Sequence, residues 1–438
     1  MSVFLFFLLN NMPPQSFTIT VTGNHYYSES YLTGGNRRFK NLKQVERLIK
    51  RILEYYNNAG FAFCRIEPEV IYEDSTGGQV VLRVEEGERV IISDYIFRIK
   101  GKTDISQLRR FLRLKLSDYF SLKELNRVKE KIKRSELFKD EKEEIIKKNG
   151  QYYIFFDLLE DKTDFIAGAG SLAQNRANFA ISLFSINFFG TLRQLRFDFE
   201  SNLAPEEKDI PRRHFQVGFT EPVIIAPVTF KTNLILDTRD TSRLSFIEAR
   251  LVSPVTDYLS LSLFSGIEMI SYPSQINPED FTNTLLGLGL EFNYNFQGLS
   301  TNQKLDFDYL IRANERYRFK YDGEFTFFSI SLRPHCWWVK TESFDDFDFY
   351  RLGGAQTLRG YWEEEFIVRE FVLFNIEYKR YPIYPIFDLA FTDDTLLYSY
   401  GLGIDASTNL GAASLIFAWP RNAKFGDGKV HFLLKKGF

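Results

Sequence analysis

The segment LGLGLEFNYNF, residues 286–296, alternates without a break between apolar and small or polar side chains. Leucine occupies positions 286, 288 and 290, and an aromatic ring occupies 292, 294 and 296. Because successive residues of a strand point to opposite faces, this period of two predicts a strand with one apolar and one polar face. The run is as long as a tilted strand that crosses a bilayer, which needs about 9–11 residues.

The same alternation recurs from about residue 164 to the end of the chain, most clearly in residues 195–200, 230–237 and 305–312. We count about 16 such segments with alternately short and longer links, and an even number returns both ends of a barrel to one side. A soluble sandwich also alternates, but its strands usually hold about five or six residues. It would also seldom carry charge on one face of almost every long strand. The pattern therefore predicts an all-β transmembrane barrel of antiparallel strands over residues 162–438.

The composition fits a membrane barrel without deciding the matter. The 438 residues include 45 Phe and 23 Tyr, yet the mean hydropathy is -0.22. In a membrane barrel, polar residues that face the lumen offset apolar residues that face lipid, although a soluble β-rich protein can match this balance. A net charge of -2 does not indicate a nucleic-acid binder. No stretch approaches the roughly 18 consecutive apolar residues of a membrane helix.

Two short α+β patterns precede the barrel, at residues 17–87 and 88–161. The first begins with a strand in FTITVTGN, continues with an amphipathic helix that Gly60 ends, and closes with two strands. The second repeats this order and carries an Asn149–Gly150 hairpin signal between its closing strands. The sequence therefore predicts two small modules with the order strand, helix, helix, strand, strand. The basic face of the first helix is either simply solvated or a contact for membrane headgroups or a partner.

The N-terminal residues and the cysteines give weaker signals. Residues 1–16 contain the apolar run SVFLFFLL but no basic n-region and no small-x-small cleavage site. We interpret them as a signal sequence or its remnant, and the sequence leaves open whether Met1 is the true start. Cys64 and Cys336 fall in different predicted domains, so we do not expect a disulfide. The four histidines show no zinc-type spacing.

The segment LGGAQTLRGY, residues 352–361, joins a Gly-Gly turn to Arg359, Gly360 and Tyr361. If Arg359 is buried, it needs a carboxylate partner, since an unpaired buried charge is strongly unfavourable. Gly360 allows a positive φ or a close backbone approach. Tyr361 can pack against the barrel wall.

Strand phase supplies two carboxylate partners for this arginine. In the strands after the segment, the apolar residues alternate with Glu377 and with Asp388, which predicts that both carboxylates face the lumen. If the loop folds back into the lumen, Arg359 lies between them and its guanidinium can bridge both, which a lysine could not do with the same geometry. The alternative is an exposed extracellular loop in which Arg359 pairs with water. We interpret the group as a structural lock, not as a catalytic centre.

The first and last strands of the predicted barrel carry glycines. Gly168 and Gly170 leave one face of FIAGAGSLAQ nearly bare, and Gly437 lies near the end of the last strand. Glycine weakens strand pairing, so these positions predict a weak lateral seam. The alternative is that the glycines relieve crowding inside the barrel. The chain ends in VHFLLKKGF, in which Phe432 and Leu434 share the phase of Phe438, although Lys436 interrupts the apolar set.

Taken together, these features resemble the outer-membrane assembly and translocation barrels of the BamA, TamA and FhaC family. LGGAQTLRGY is similar to the arginine-glycine-aromatic loop of that family, and Glu377 and Asp388 match its two acidic partners. The two modules resemble POTRA (polypeptide-transport-associated) domains through VTGN, YYNNAGF and VEEGERVIISDYIFRIKG. The C-terminal Phe432, Leu434 and Phe438 resemble the signal of outer-membrane proteins.

The resemblance implies a protein of the bacterial outer membrane with its modules in the periplasm. It implies a factor that folds and inserts client barrels through a weak seam between the first and last strands. The two modules also fit an FhaC-like pore that exports a polypeptide, and a passive porin or adhesin is a third possibility. The implied partners are the lipid bilayer, client outer-membrane or secreted polypeptides, and periplasmic accessory proteins.

The sequence shows no pairing of a nucleophile with a base. We therefore expect no enzymatic activity, and we expect no cofactor and no metal site. We also expect no nucleic-acid partner. The sequence does not identify the client.

Overall fold

The computed structural model describes residues 16–72, 77–116, 118–173, 176–203, 212–225, 227–239, 242–256, 258–272, 281–296, 299–311, 315–408 and 411–437. Most of the predicted signal sequence or remnant and the terminal Phe438 lie outside these residues. The chain forms two compact units. The first runs to Gly101 and resumes at Leu112–Asp161, and the second combines Lys102–Phe111 with Lys162–Phe438.

The first unit contains two small sheets with helices, as the repeated pattern predicts. Its strands and helices up to residue 85 are β1 (Ser16–Thr22), α1 (Glu29–Thr33), β2 (Arg38–Phe39), α2 (Leu42–Asn58), β3 (Arg65–Tyr72) and β4 (Gly77–Glu85). The strand order is β2-β1-β4-β3, with β1 and β4 parallel. The helix α2 buries Val45, Leu48, Ile52 and Tyr56 against this sheet, which is the predicted apolar stripe. The first of the two closing strands begins at Arg65, and a turn at residues 62–63 separates it from α2.

The second sheet follows the same plan. The elements of this part of the chain are β5 (Ile91–Lys100), α3 (Ile105–Leu112), β6 (Asp118–Tyr119), α4 (Leu122–Arg134), β7 (Phe138–Lys148) and β8 (Gln151–Glu160). The strand order is β6-β5-β8-β7. Asn149 and Gly150 both have positive φ in the turn between β7 and β8, as their hairpin signal predicts. Ser121 caps α4 through a hydrogen bond from the Glu124 amide.

Most of α3 belongs to the second unit. The Asp104 amide donates to the Gly190 carbonyl at 2.8 Å, and the Asn187 side-chain amide donates to the Thr103 hydroxyl at 2.8 Å. Both bonds join the segment Lys102–Phe111 to residues 187–190, which also belong to the second unit. The two compact units therefore interleave along the sequence.

The remaining strands run from β9 to β26. They are β9 (Asp164–Ala173), β10 (Arg176–Phe188), β11 (Arg193–Leu203), β12 (Arg213–Ile225), β13 (Val228–Arg239), β14 (Ser242–Pro254), β15 (Leu259–Ser271), β16 (Phe281–Phe296), β17 (Leu299–Ile311), β18 (Arg316–Phe327), β19 (Ile330–Thr341), β20 (Tyr350–Leu352), β21 (Phe366–Val368), β22 (Phe371–Tyr378), β23 (Ile383–Thr392), β24 (Leu396–Thr408), β25 (Gly411–Pro420) and β26 (Lys429–Gly437). Strands β20 and β21 pair with each other, and the other sixteen form one closed antiparallel barrel. The predicted fold class is thus confirmed.

The barrel has an apolar outer face and a polar interior. On β16 the exposed side chains Leu286, Leu288 and Leu290 alternate with positions that face inward. On β17 Asp306 and Asp308 are buried, while Phe307 between them is exposed. This alternation is typical of a barrel surrounded by lipid, whose interior holds the polar groups. Among the described residues, no helix is long and apolar enough to cross a membrane.

Residues 342–370, which we call the inner loop, connect β19 to β22. The inner loop contains the ribbon of β20 and β21, and several of its side chains are buried, including Phe347, Asp348, Leu352 and Leu358. Leu352, Leu358 and Tyr361 pack with Phe371, Leu373 and Ala390 of the barrel wall. This connection therefore folds into the barrel interior.

Candidate functional site

The tip of the inner loop turns at its paired glycines. Gly353 and Gly354 have φ of +122° and +98°, and a Cβ at Gly353 would lie 2.0 Å from the Trp362 carbonyl oxygen. A side chain at this position would therefore be excluded both by conformation and by space. The Thr357 hydroxyl accepts from the Gly353 amide at 3.0 Å and donates to the Gly353 carbonyl at 2.8 Å. This local network fixes the turn that precedes Arg359, which points into the barrel.

Arg359 lies between Glu377 of β22 and Asp388 of β23. Its Nε donates to Asp388 Oδ2 at 2.9 Å and its Nη2 to Asp388 Oδ1 at 2.5 Å, while Nη1 donates to Glu377 Oε1 at 2.5 Å. The Arg359 backbone amide adds a fourth bond, to Asp388 Oδ2 at 2.9 Å. The exposed fractions are 2% for Arg359, 4% for Glu377 and 0% for Asp388. We call these three residues the tip lock, and their burial rules out the alternative of an exposed arginine.

The tip lock has the geometry in which a buried ion pair is stable. Asp388 receives a bidentate fork from the guanidinium, which is among the stronger kinds of charge-assisted hydrogen bond. Removal of one member of such a pair leaves an uncompensated buried charge and typically costs about 3–5 kcal/mol. The lock therefore holds the loop tip against β22 and β23 at a position deep inside the barrel.

Glu377 has two further cationic neighbours. Arg333 of β19 donates to Glu377 Oε1, and Lys379 Nζ lies 3.2 Å from Glu377 Oε2. Arg333 was not identified from the sequence, although β19 pairs with β22 and brings it beside the carboxylate. Glu377 is thus shared among three cations, whereas Asp388 takes three hydrogen bonds from Arg359 alone.

Gly360 and Tyr361 attach the tip to β24 and β25. Gly360 has φ of +88°, and a Cβ there would lie 2.9 Å from the Trp419 carbonyl carbon. The Tyr361 hydroxyl donates to the Tyr398 carbonyl at 3.1 Å and accepts from the Arg421 amide at 3.3 Å. The missing side chain of Gly360 allows the backbone to approach β25 closely. The Tyr361 hydroxyl forms the hydrogen bonds to the wall.

His431 of β26 is a site residue that the sequence motif did not reveal. It is fully buried, and its Nε2 accepts a hydrogen bond from the Gly360 amide at 3.3 Å. Strand phase alone could have indicated that His431 faces the lumen, since the next residue, Phe432, faces outward. Through His431 the loop tip reaches the closing strand of the barrel. The contacts of residues 359–361 thus extend over β22 to β26.

The predicted seam is closed in this structure. β9 and β26 pair in register from Val430 with Leu172 to Gly437 with Phe165. Within this register Phe432 lies opposite Gly170, and Leu434 lies opposite Gly168. The Phe432 side chain is 45% exposed and shares the outward phase of Leu434. Phe438, the third residue of the predicted C-terminal signal, lies outside the described residues.

The seam glycines do not share one explanation. Gly168 and Gly170 lie on the same face of β9 as the exposed Ile166. The face of β9 that lacks side chains at these two positions therefore points outward and not into the lumen. A Cβ at Gly168 would have its nearest neighbour at 3.9 Å, so crowding does not require this glycine. Gly437 differs, because a Cβ there would lie 2.8 Å from the Phe165 ring. The crowding alternative therefore fits Gly437 but not Gly168.

The inner face of β9 is also poor in side chains, whereas β26 places Leu433 and Lys435 opposite Ala169 and Ala167. A cavity of about 710 Å³ separates β9 and β10 from the loop tip. On the seam side it is lined by the small residues Ala167, Ala169, Ala180 and Ser182, and on the other side by Gln356, Arg359 and Glu377. Near the end of the seam Lys435 packs over the Phe165 ring at 4.9 Å. Among the described side chains of β9, packing across the seam is therefore greater at Phe165 than at Ala167 and Ala169.

The described residues contain no group of His, Cys, Asp or Glu arranged to hold a metal ion. Both Cys64 and Cys336 are free thiols, and burial raises the pKa of the Cys64 thiol to about 11. The contacts of the site are ion pairs and hydrogen bonds that hold a loop, and backbone hydrogen bonds that join β9 to β26.

Comparison with known proteins finds similarity in structure but not in sequence. No family model and no curated protein matches this chain. BamA from Haemophilus ducreyi lacking POTRA domains 1–3 aligns over 98% of this chain and 100% of its own length, with a TM-score of 0.61 and 14% identity. CdiB from Acinetobacter baumannii aligns over 97% and 90%, with a TM-score of 0.62 and 13% identity. CdiB from Escherichia coli aligns over 98% and 92%, with a TM-score of 0.59 and 12% identity.

These likenesses show the fold of the chain. The chain has the fold of the outer-membrane assembly and translocation barrels, with a closed sixteen-stranded barrel and two POTRA-like modules. The resemblance to the BamA, TamA and FhaC group that the sequence predicts is thus confirmed at the level of fold. At 12–14% identity the likeness does not extend to the activity of any one of these proteins.

Proposed function

We propose that this chain is an outer-membrane assembly factor that folds and inserts client barrels at the seam between β9 and β26. The apolar outer face of the barrel supports a location in lipid. The start of β9 and the end of β26 lie at one rim, since Gly437 pairs with Phe165, and the short turns between β10 and β11 and between β18 and β19 lie at the same rim. In bacterial outer-membrane barrels the short turns face the periplasm. We therefore also propose that the POTRA-like modules are periplasmic.

The observation that carries the proposal is the scarcity of side chains in the middle of the seam. Cross-strand side-chain pairs provide much of the stability of a sheet. At Gly168 and Gly170 the seam lacks these pairs on its outer face, and Ala167 and Ala169 offer little on the inner face. Backbone hydrogen bonds are therefore the main interaction between β9 and β26 in this region.

The backbone hydrogen bonds between β9 and β26 can be replaced by bonds to another strand, but they cannot be broken without replacement. An unsatisfied backbone group in hydrocarbon costs several kcal/mol, so an empty open seam is strongly unfavourable. A client strand that pairs with the exposed edge replaces these bonds one by one, as in β-strand addition. Exchange then loses only the cross-strand packing, which is small here. This chemistry suits a template for client strands.

The strand pair β10–β11, which does not include β9, lacks this property. Between β10 and β11, Ile181 lies opposite Phe199, and the rings of Phe179 and Phe199 lie 5.9 Å apart. Aromatic pairs of this kind add about 0.5–1.5 kcal/mol beyond the area that they bury. Strand exchange is therefore favoured at β9–β26 over β10–β11.

The second candidate is a pore that exports a polypeptide. It is favoured by the presence of two POTRA-like modules, since the resemblance to FhaC implies that number. For export through the lumen, the inner loop would have to leave its present position. There Arg212, which directly precedes β12, pairs with Glu364, and Asp388 of β23 pairs with Arg359. A passive porin or adhesin does not account for the modules. We propose no enzymatic activity, no cofactor and no nucleic-acid partner.

Depletion of the protein from its host distinguishes the two candidates. The assembly role predicts a general loss of folded barrels from the outer membrane, measured by the heat-modifiable gel mobility of several unrelated outer-membrane proteins. A wild-type copy supplied in trans should restore them. Loss of one exported polypeptide, with the other barrels unchanged, would overturn the assembly role and support the pore.

A further inference from the structure

The base of the inner loop is held by a second buried arginine. Arg316, the first residue of β18, is 1% exposed and donates from Nη2 to both carboxylate oxygens of Glu268 on β15, at 3.1 and 2.9 Å. Its Nη1 donates to Asp348 of the inner loop, which is itself 1% exposed. Glu268 also accepts from the Asn283 side-chain amide at 3.2 Å. We call Arg316, Glu268 and Asp348 the base anchor.

Contacts around Asp348 order the whole loop base. The Asp345 amide donates to the second oxygen of the Asp348 carboxylate at 2.9 Å, and the Phe347 amide donates to Asp345 at 2.8 Å. Arg239 of β13 donates to the Asp346 carbonyl and lies over the Phe347 ring at 4.2 Å. Residues 345–348 are thus attached to the wall at β13 and β18.

The base anchor and the tip lock differ in whether the loop or the wall supplies the arginine. In the tip lock the loop supplies the arginine and the wall supplies the carboxylates. In the base anchor the wall supplies Arg316 and the loop supplies the carboxylate of Asp348. Replacement of Asp348 by a neutral residue leaves no unpaired buried charge, because Arg316 retains its ion pair with Glu268.

The two clusters share no residue and attach to different parts of the barrel. The base anchor uses β15 and β18, and the tip lock uses β22 and β23. Between them lie strand β20 and the turn of Gly353 and Gly354, where the backbone has positive φ. Ion pairs that share no partner usually contribute to stability independently.

We propose that Arg316 and Asp348 are positioning residues that fix the base of the inner loop when the tip is released. The loop then moves as a flap about its base, with residues 353–365 leaving the wall while residues 345–348 stay in place. The tip remains near the lumen and can bind again to Glu377 and Asp388. This inference concerns the motion of the loop and does not depend on the proposed function.

Hydrogen–deuterium exchange of the full chain in detergent or liposomes tests the inference without a client. Peptides that cover residues 343–349 and 353–361 report on the base and the tip separately. Asp348→Asn should raise exchange in 343–349 by about tenfold or more and leave 353–361 protected. Arg359→Ala should do the reverse. Asp306→Asn is the matched control, since Asp306 is a buried wall carboxylate that pairs with Arg250.

Two results would overturn the proposal. One is unchanged protection of residues 343–349 in Asp348→Asn, and the other is a loss of protection at both ends from either single substitution. If Asp348→Asn does not fold, as judged by heat-modifiable gel mobility, Arg316→Lys serves instead. It keeps the charge but loses the fork, and it should raise exchange at the base alone. Failure of these expectations would leave the depletion phenotype, and thus the proposed function, unaffected.

Discussion

The two walls that meet at the seam are built in different ways. On the C-terminal side, β22 to β26 contact the loop tip through Asp388, Glu377, the Trp419 backbone and His431. On the N-terminal side, β9 presents Ala167 and Ala169 to a cavity and Gly168 to the outside. The closing strand is therefore braced from within, and the first strand is not braced in the same way.

This difference indicates which partner in the seam is the more easily displaced. The tip lock and the His431 bond hold β26 to the loop and, through it, to β22 and β23. β9 depends mainly on backbone bonds to its two neighbours over its small-residue stretch. We therefore expect β9 to be the strand that separates when the seam opens, while β26 stays with the loop.

The largest effect should come from removing the arginine of the braced wall. Arg359→Ala leaves the buried Asp388 carboxylate without its partner and removes one of the three cations beside Glu377, and we expect a loss of about 3–5 kcal/mol in the free energy of unfolding. The inner loop should become sensitive to protease, and function should fall. Arg250→Ala removes a buried arginine that pairs with Asp306 and Glu248 of the wall. It should destabilise the barrel and leave the loop resistant. Equal loop sensitivity in both variants would remove the distinction between the lock and the rest of the wall.

The two carboxylates of the lock should differ in importance. Asp388 accepts three hydrogen bonds from Arg359, whereas Glu377 accepts one and is also neutralised by Arg333 and Lys379. Asp388→Asn should therefore release the tip more than Glu377→Gln, by about 1–2 kcal/mol. Limited proteolysis of the loop in urea measures the order. Charge reversal at both positions together should resemble Arg359→Ala. The reverse order of the two single variants would contradict the assigned geometry.

His431 tests whether the brace reaches the closing strand. His431→Ala removes the acceptor of the Gly360 amide, and a hydrogen bond of this kind contributes about 0.5–1.5 kcal/mol. We expect about fivefold faster deuterium exchange in peptides that contain Gly360. His335, which bonds Asp322 on the neighbouring strand, is the matched control. If His335→Ala has the same effect on these peptides, the contact between loop and β26 has no special role.

The smallest effect should come from the bare wall. Gly168→Val adds an outward apolar side chain where a Cβ has no neighbour closer than 3.9 Å. It should strengthen the seam by about 0.5–1 kcal/mol through packing on Ile181 and Leu434. The melting temperature of the folded band on gels should rise slightly. Gly437→Ala should lower it, because the Phe165 ring must move. A decrease in both variants would mean that the middle of the seam is crowded after all.

Much of this architecture was predictable from the sequence. Period-two alternation in segments such as residues 286–296 identified the barrel, because lipid and lumen impose opposite requirements on successive residues. The repeated order of strands and helices identified the two modules. Strand phase assigned Glu377 and Asp388 to the inner face, which is where they lie.

The site residues that the sequence did not predict depend on contacts between strands that are distant in the chain. Arg333 lies beside Glu377 because β19 pairs with β22 across the inner loop, and alternation within one strand does not give that register. His431 contacts Gly360 only because the barrel closes at β26. Arg316 and Asp348 are a single arginine and a single aspartate among many, and no short motif marks their pairing. Register and closure are thus the information that strand phase alone does not contain.

The most direct test of assembly at the seam is a reversible disulfide across it. Gly168→Cys with Leu434→Cys, in a chain whose Cys64 and Cys336 are replaced by serine, places two thiols at directly opposed positions of β9 and β26. Ile181→Cys with Phe199→Cys does the same on the outer face of β10 and β11 and is the matched control. The measurement is the rate at which an unfolded client barrel folds into liposomes that contain the oxidised or the reduced protein. We predict that the oxidised seam abolishes the acceleration, that reductant restores it, and that the control pair has no effect. Full acceleration with the seam oxidised would contradict the account.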